Sequence, residues 1–351
     1  MLIFVYEYTC AAKRTGSLTS LRTEGWAMLS ALVDDLSRIP GIEVISLLAR
    51  CRFPSNPGPA FHGVDSDTEE RRFREMAGNA DFTLVIAPEF ENILAQRCQW
   101  VEDAGGRLLG PSLAAVRLTA DKYALSQLLQ TRQVPTPESW LFRMESFEPY
   151  ETLEVFKTSE VCSWFPAVLK PRFGAGSLAT YSVQCPSDFA QVKTAVSPEG
   201  VKGDMILQPW VPGKAASVAF LIGPKQRLAL PTASQDLSED GRFHYQGGSV
   251  PLPAELADRA RRLATKSIDQ VPGLLAYVGV DLVLGSAPDG SQDYVIEINP
   301  RLTTSYIGLR ALAETNLAEA LLNVAIGKEA NLKWRSGRVQ FHADGRIIRE
   351  E

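Results

Sequence analysis

A chain of 351 residues, 45% hydrophobic and 22% charged, is long enough for two or three domains with cores of their own and has the balance of a globular protein. Its formal net charge of −5 argues against nucleic acid as the main partner, since neutralising phosphates takes a basic face, and its apolar runs fall short of a membrane span. Five cysteines (Cys10, Cys51, Cys98, Cys162, Cys185) without a CxxC pair suit free thiols in a reducing cytoplasm, and three scattered histidines (His62, His244, His342) speak against a zinc site or a His-dependent triad.

Residues 2–8 (LIFVYEY) read as a first core strand rather than a signal sequence, because no basic leader precedes them and Glu7 interrupts the apolar run. A loop through Thr15-Gly16-Ser17 leads to a helix over 20–37, where Trp26, Leu29, Leu32, Val33 and Leu36 recur at helical spacing, and Pro40-Gly41 stops it. A strand over 42–48, a charged helix over 69–79, a strand over 82–87, a helix over 91–104 and a short strand at 108–110 follow. This alternation predicts a parallel, doubly wound α/β sheet. Ligands of such sheets lie at the carboxyl ends of the strands, which here carry Glu7, Tyr8, Thr9 and Pro88, Glu89, Phe90. No Gly-x-Gly-x-x-Gly follows the first strand, which disfavours a dinucleotide and with it a dehydrogenase.

An Ala- and Leu-rich helix is expected over 112–129, carrying Arg117, Asp121 and Lys122, and Pro135-Thr136-Pro137 after it puts a domain boundary near 111–137. The run PAVLKPRFGAGSLAT is a strand ending on Lys170 and passing into a loop. There Gly174, Gly176 and Ser177 let backbone N–H groups approach an anion, although an ordinary tight turn has the same pattern. Strands follow over 205–211 (MILQPWV) and 216–222. Pro209 marks either an edge strand or the point where the chain leaves the sheet, freeing backbone groups for a planar heterocycle. Tyr245-Gln246-Gly247-Gly248 reads as a second glycine loop, a tight turn or a lid, and 254–270 as an amphipathic helix.

The chemistry concentrates in 277–304. Residues 277–284 and 294–298 have the β-branched content of neighbouring buried strands, with Asp289-Gly290 as a turn between them. Asp281 sits in the first, and Glu297 and Asn299, two apart in the second, point to one face. Acids in apolar strands need a cation. Oxygen ligands suit Mg²⁺, with Mn²⁺ as its substitute, shared with a nucleotide phosphate; alternatively the acids pair with Arg301 and Arg310 as ordinary salt bridges. A helix over 309–326, capped by Gly327, and a small hairpin over 338–348 close the chain.

In order and spacing, Thr119-Ala120-Asp121-Lys122, Lys170 with FGAGS, Gln208-Pro209-Trp210-Val211, Asp281 and Glu297-Ile298-Asn299-Pro300-Arg301 resemble the ATP-grasp superfamily over residues 1–330. The EINPRLTTS run, with VYEYTCA, looks like the archaeal-type branch of carboxylate–amine ligases, which includes one that joins L-glutamate to tyramine in methanofuran-type cofactor synthesis. The resemblance implies an ATP-grasp fold, α/β with an α+β nucleotide-binding part. Residues 1–111 would form a doubly wound pre-ATP-grasp domain, 112–212 the small or central subdomain with its linker helix, 213–330 the C-terminal catalytic subdomain and 331–351 a hairpin tail, the two subdomains clasping ATP. It further implies that Lys122 and Lys170 lie on the phosphates under the loop of Gly174, Gly176 and Ser177. Gln208, Pro209, Trp210 and Val211 would read the adenine edge, Asp281, Glu297 and Asn299 would hold Mg²⁺, and Arg301 would steady the transferred phosphoryl group. Three positions depart from the family pattern: a hinge glutamate is Gln208, the ribose-reading acid falls at Ala215, and the arginine before the first metal acid is Gly279, which leaves oxyanion stabilisation to Arg301 or Arg310.

The implied reaction is amide formation from a small-molecule carboxylate and an amine through an acylphosphate, releasing ADP and phosphate. A kinase on the same cradle and a non-catalytic ATP-binding sensor are the alternatives. Glu7, Ser20, Arg22, Glu24, Gln235, Tyr245 and Arg310 stand where the substrates would sit, or are ordinary surface and structural polar groups. A homodimer is the default assembly.

Overall fold

The computed structural model describes residues 1–12, 19–53, 55, 57–143, 148–149, 164–196 and 203–350; Thr15-Gly16-Ser17, Cys162 and the side chain of Ser20 lie outside that description. The first layer contains β1 (Leu2–Glu7), α1 (Tyr8–Ala11), α2 (Thr19–Ser37), β2 (Glu43–Ala49), β3 (Phe61–Val64), α3 (Glu69–Asn79), β4 (Phe82–Ile86) and α4 (Ile93–Asp103). Its sheet has the order β3-β2-β1-β4 with every pair parallel. Ile3, Phe4, Val5 and Tyr6 are all fully buried, as expected of a strand covered on both faces. β3 escaped the sequence reading because only its last residue is buried, and the 108–110 strand amounts to a single parallel bridge, Thr83 to Leu108.

The single helix expected over 112–129 is two, α5 (Leu113–Ala120) and α6 (Lys122–Thr131). Asp121 breaks it by adopting an extended conformation (φ −87°, ψ 94°), and its carboxylate accepts from the Ala124 N–H at 3.1 Å. Next come β5 (Trp140–Arg143), β6 (Glu148–Pro149), β7 (Ala167–Pro171), β8 (Tyr181–Val183), α7 (Phe189–Val196) and β9 (Met205–Pro209). They build an antiparallel sheet of order β6-β5-β9-β7-β8. Pro209 therefore ends a central strand, and the chain leaves the sheet there.

The last part holds β10 (Lys214–Ile222), β11 (Arg227–Ala229), β12 (Ala233–Ser234), β13 (Asp236–Leu237), β14 (Tyr245–Val250), α8 (Ala254–Ile268), β15 (Ala276–Leu284), β16 (Tyr294–Asn299), α9 (Ser305–Leu312), α10 (Leu317–Ala325), β17 (Arg338–His342) and β18 (Ile347–Glu350). One antiparallel sheet runs β11-β10-β15-β16 and a second runs β13-β14-β17-β18. The expected glycine loop at 245–248 is thus strand β14. Its glycines serve close strand approach: a Cβ on Gly247 (φ +140°) would fall 2.1 Å from the Phe341 carbonyl oxygen, and one on Gly248 2.0 Å from that of Ser234. The helix expected over 309–326 is also two, because Asn316 caps α10 by accepting from Ala318 N–H and Glu319 N–H at 3.0 and 3.1 Å. α2 packs on α9 and α10, so the first layer and the last share one core, which also includes Phe341 of the C-terminal hairpin. Among the described residues no helix is long and apolar enough to cross a membrane.

Candidate active site

Cross-strand register puts Asp281 of β15 directly opposite Glu297 of β16, and Gly279 opposite Asn299. Like charges facing each other across a ladder repel. Two lysines answer that repulsion. Lys122, the first residue of α6, places Nζ 2.9 Å from Glu297 Oε2 and donates to the Gly174 carbonyl at 2.9 Å. Lys170 is buried on β7. Burial pushes Glu297 up, but Lys122 and then Lys170 outweigh it and hold the carboxyl at about 2. Burial and then the Glu297 charge push Asp281 the other way, to about 8. Burial likewise lowers Lys170 to about 8, against the pull of Glu297. Both Asp281 oxygens accept amide hydrogens, from Gln235 Nε2 and from Asn299 Nδ2, each at 2.9 Å.

These groups line one cavity of about 270 Å³, together with Gly174, Gly176, Ser177, Gln208, Pro209, Trp210, Val211 and Arg301. The glycine loop is tied across it. Ser177, in a left-handed conformation (φ +57°), donates from Oγ to the Phe243 carbonyl at 2.6 Å, and the Ser182 N–H donates to the Gly241 carbonyl at 2.8 Å. Gly176 (φ +63°) leaves no space for a side chain, since a Cβ would stand 2.2 Å from Leu21 Cδ2 of α2. Beyond β9, the half-exposed Trp210 stacks on Phe243 with ring centroids 5.2 Å apart. The Trp210 N–H donates to the Pro166 carbonyl at 2.8 Å and is thereby used within the protein. Gln208 is buried and donates from Nε2 to Ser139 Oγ at 2.7 Å. Gly279 has no room for the family's arginine: its Cβ would lie 2.7 Å from Thr303 Cγ2.

The two arginines part company. Arg301 lines the cavity and is gripped by both oxygens of buried Glu89, at 2.8 Å from Nε and 3.1 Å from Nη2. Arg310 does not line it. Its guanidinium is bound by Asp34 at 2.7 Å and Asp35 at 2.8 and 2.6 Å on α2, and Tyr306 donates to Asp35 at 2.7 Å. Neither arginine pairs with Asp281 or Glu297, so the salt-bridge alternative does not describe these strands. Of the expected substrate contacts, Glu24, Gln235 and Tyr245 line the cavity, whereas Arg22 and Glu7 do not. Glu7 instead caps α1, accepting from Thr9 Oγ1 at 2.8 Å and Cys10 N–H at 2.7 Å. Sequence reasoning missed Ser217, Phe243, Thr303, Thr304 and Ser305, all cavity-lining. The Thr-Thr-Ser run straight after Arg301 was the available signal for three of them.

Asp281, Glu297 and Asn299 carry side-chain oxygens that could serve a cation in place of their present partners Gln235, Asn299 and Lys122, and two opposed carboxylates favour a hard divalent ion. Among the described residues no group of three or more His, Cys, Asp and Glu forms a softer or more acidic alternative. The set fits Mg²⁺.

A family model described as an ATP-grasp domain matches residues 119–305, and one described as a pre ATP-grasp 3 domain matches 44–116. The chain belongs to the ATP-grasp family. This ATP-grasp chain is 30% identical over 253 residues to tyramine–L-glutamate ligase of Methanocaldococcus fervens, an alignment covering 72% of the chain and 69% of that relative. It is 23% identical over 267 residues to D-alanine–D-alanine ligase of Francisella philomiragia, covering 74% and 83%. A solved structure from Archaeoglobus fulgidus, assigned to the ATP-grasp superfamily, shares the fold with a TM-score of 0.71 at 22% identity, over 97% of this chain and 92% of that one. The ATP-grasp chain is an ATP-dependent, amide-forming ligase. Its ATP-grasp match spans every element that walls the cavity from α6 to the start of α9.

Proposed function

We propose that this ligase joins a carboxyl group of L-glutamate to a primary aromatic amine such as tyramine, through an acylphosphate, in the cavity between β7, β9, β15 and β16. The observation that carries the reading is the convergence of Lys122, Lys170, Asp281, Glu297 and Asn299, from four distant segments, on that one cavity. Tyramine–L-glutamate ligases are the relatives that support the choice of substrates.

In the first step a carboxylate oxygen attacks the γ-phosphorus of ATP and the bond to the β,γ-bridging oxygen breaks, releasing ADP. In the second the amine nitrogen attacks the acyl carbon, phosphate departs with the oxygen, and the nitrogen loses a proton. No protein nucleophile is needed. Lys122 and Lys170 neutralise phosphate oxygens as point charges, and the loop of Gly174, Gly176 and Ser177 excludes water above them. The hinge from Gln208 to Val211 receives the adenine, with Trp210 contributing its ring. Arg301 stabilises the charge on the transferring phosphoryl group. Asp281, Glu297 and Asn299 would hold Mg²⁺, which when bound would supply charge neutralisation at the triphosphate. The described cysteines Cys10, Cys51, Cys98 and Cys185 are free thiols, which fits a reducing cytoplasm.

The test is phosphate release from the full chain over a matrix of amino acids against amines, with hydroxylamine added to trap activated acyl groups. Hydroxamate formation with L-glutamate alone, and amide product only when an aromatic amine is present, is the expected result. A stable phosphorylated product that forms without any amine would overturn it.

A further inference from the structure

Among the described residues, the first layer contributes one side chain to the cavity wall, Glu24 on α2. The placement is fixed by its neighbour: Gly25 lies so close to the end of β1 that a Cβ there would fall 2.5 Å from the Glu7 carboxyl and 2.6 Å from Thr9 Oγ1. α2 is thus pressed against the carboxyl edge of the parallel sheet, and residue 24 is turned toward the cavity. The Glu24 carboxylate accepts from Thr304 Oγ1 at 3.3 Å and makes no ion pair among the described residues. The nearby cation, Arg301, is already engaged by both oxygens of Glu89. The remaining groups on that wall are neutral: Thr303 and Ser305 line it with Oγ1 and Oγ 2.9 Å apart, backed by the buried Tyr277 hydroxyl at 3.1 Å from each, and Tyr245 lines the cavity as well. A carboxylate held in such a wall without a counter-charge is costly until a cation arrives.

We infer that Glu24 binds a substrate ammonium group, so that the pre-ATP-grasp layer selects a primary alkylammonium in this cavity. The inference rests on the ligase reading above, which puts both substrates there. Two sources share this chemistry, the attacking amine in its protonated resting form and the α-ammonium of the amino acid. The Thr304 hydroxyl beside Glu24, and those of Thr303 and Ser305 on the same cavity lining, suit either, since each can accept a hydrogen from R–NH₃⁺.

The test is calorimetric titration of the full chain and of Glu24→Gln, with AMP-PNP and Mg²⁺ present, using tyramine and L-glutamate beside their nitrogen-free counterparts 4-(2-hydroxyethyl)phenol and glutarate. At least a tenfold rise in Kd for one ammonium ligand in Glu24→Gln is expected, with the matching nitrogen-free ligand and AMP-PNP within twofold. Which ligand responds identifies the source. Glu24→Asp should fall between the two, and its retained AMP-PNP affinity guards against misfolding. Unchanged affinity for both ammonium ligands, nitrogen-free ligands binding the wild type as tightly, or no binding of either ammonium ligand would overturn the inference. Amide formation that survives such a result leaves the ligase reading standing. Glu24-dependent ammonium binding without any amide product sinks that reading and keeps this one.

Discussion

Glu297 sits at the junction of the charges in the cavity, paired with Lys122 at 2.9 Å and facing Asp281 across the β15–β16 ladder. Glu297→Ala should keep the fold, as read by far-UV circular dichroism, and lower the rate of phosphate release by a factor of about 100 or more, roughly the effect of losing one oriented charge-stabilising group. Undiminished turnover would remove Glu297 from the site. Glu24 yields a pH prediction. Burial raises its carboxyl from the usual 4.5 to about 7, with the Thr304 hydroxyl and Arg301 pulling it back and Glu7 adding to it. The folded chain therefore binds this proton more tightly than the unfolded chain, so the cost of carrying the charge is absent below about pH 4.5, grows up to about pH 7 and is complete above it. Glu24→Gln should melt with the wild type at pH 4 and above it at pH 8, by no more than on the order of 3 kcal/mol. A difference in melting temperature that stays constant across that range would contradict the assignment.

Elements were legible where periodicity is uninterrupted and misread where a polar residue does two jobs. The strands carrying Asp281 and Glu297 were expected within a residue or two of their observed bounds, because alternation and β-branched content mark a buried strand however its neighbours are arranged. The two helices read as single units were each split by a cap, Asp121 and Asn316, whose side chains take the N–H groups of the following turn. Asp121 also holds Arg172 at 2.9 and 2.7 Å, next to the glycine loop. Asp121→Ala should destabilise the chain by about 1–2 kcal/mol, read as a lower urea midpoint, and should raise the KM for ATP because α6 begins with Lys122. An unchanged midpoint would mean that Asp121 caps nothing of consequence. The glycines of β14 were misread for a different reason: Gly247 and Gly248 signal close approach, and sequence cannot say whether the approaching group is a phosphate or the backbone of Phe341 and Ser234.

Across the whole molecule, the site is held by contacts between segments far apart in sequence. Glu89, at the carboxyl edge of the parallel sheet, grips Arg301 from 212 residues away. Glu89→Ala should leave a largely buried guanidinium uncompensated and cost about 3–5 kcal/mol, measured by denaturant unfolding, with Glu89→Asp intermediate. Arg310 was expected near the chemistry and instead binds α2 to α9 through Asp34 and Asp35. The C-terminal hairpin, expected as a tail, extends the sheet of β14 and buries Phe341, on which Gly308 of α9 packs so closely that a Cβ would lie 2.3 Å from the ring. Phe341→Ala should cost about 3–5 kcal/mol, seen as a lower melting temperature. Residue order and strand patterning were enough for the α/β class, the ATP-grasp resemblance and the acids and lysines that line the cavity, because both are local properties written along the chain. Which arginine faces the cavity, which acid answers each cation and that Glu24 reaches the site from the first layer emerge with the folded arrangement, because those pairings depend on how separate layers dock, and no spacing along a chain encodes that.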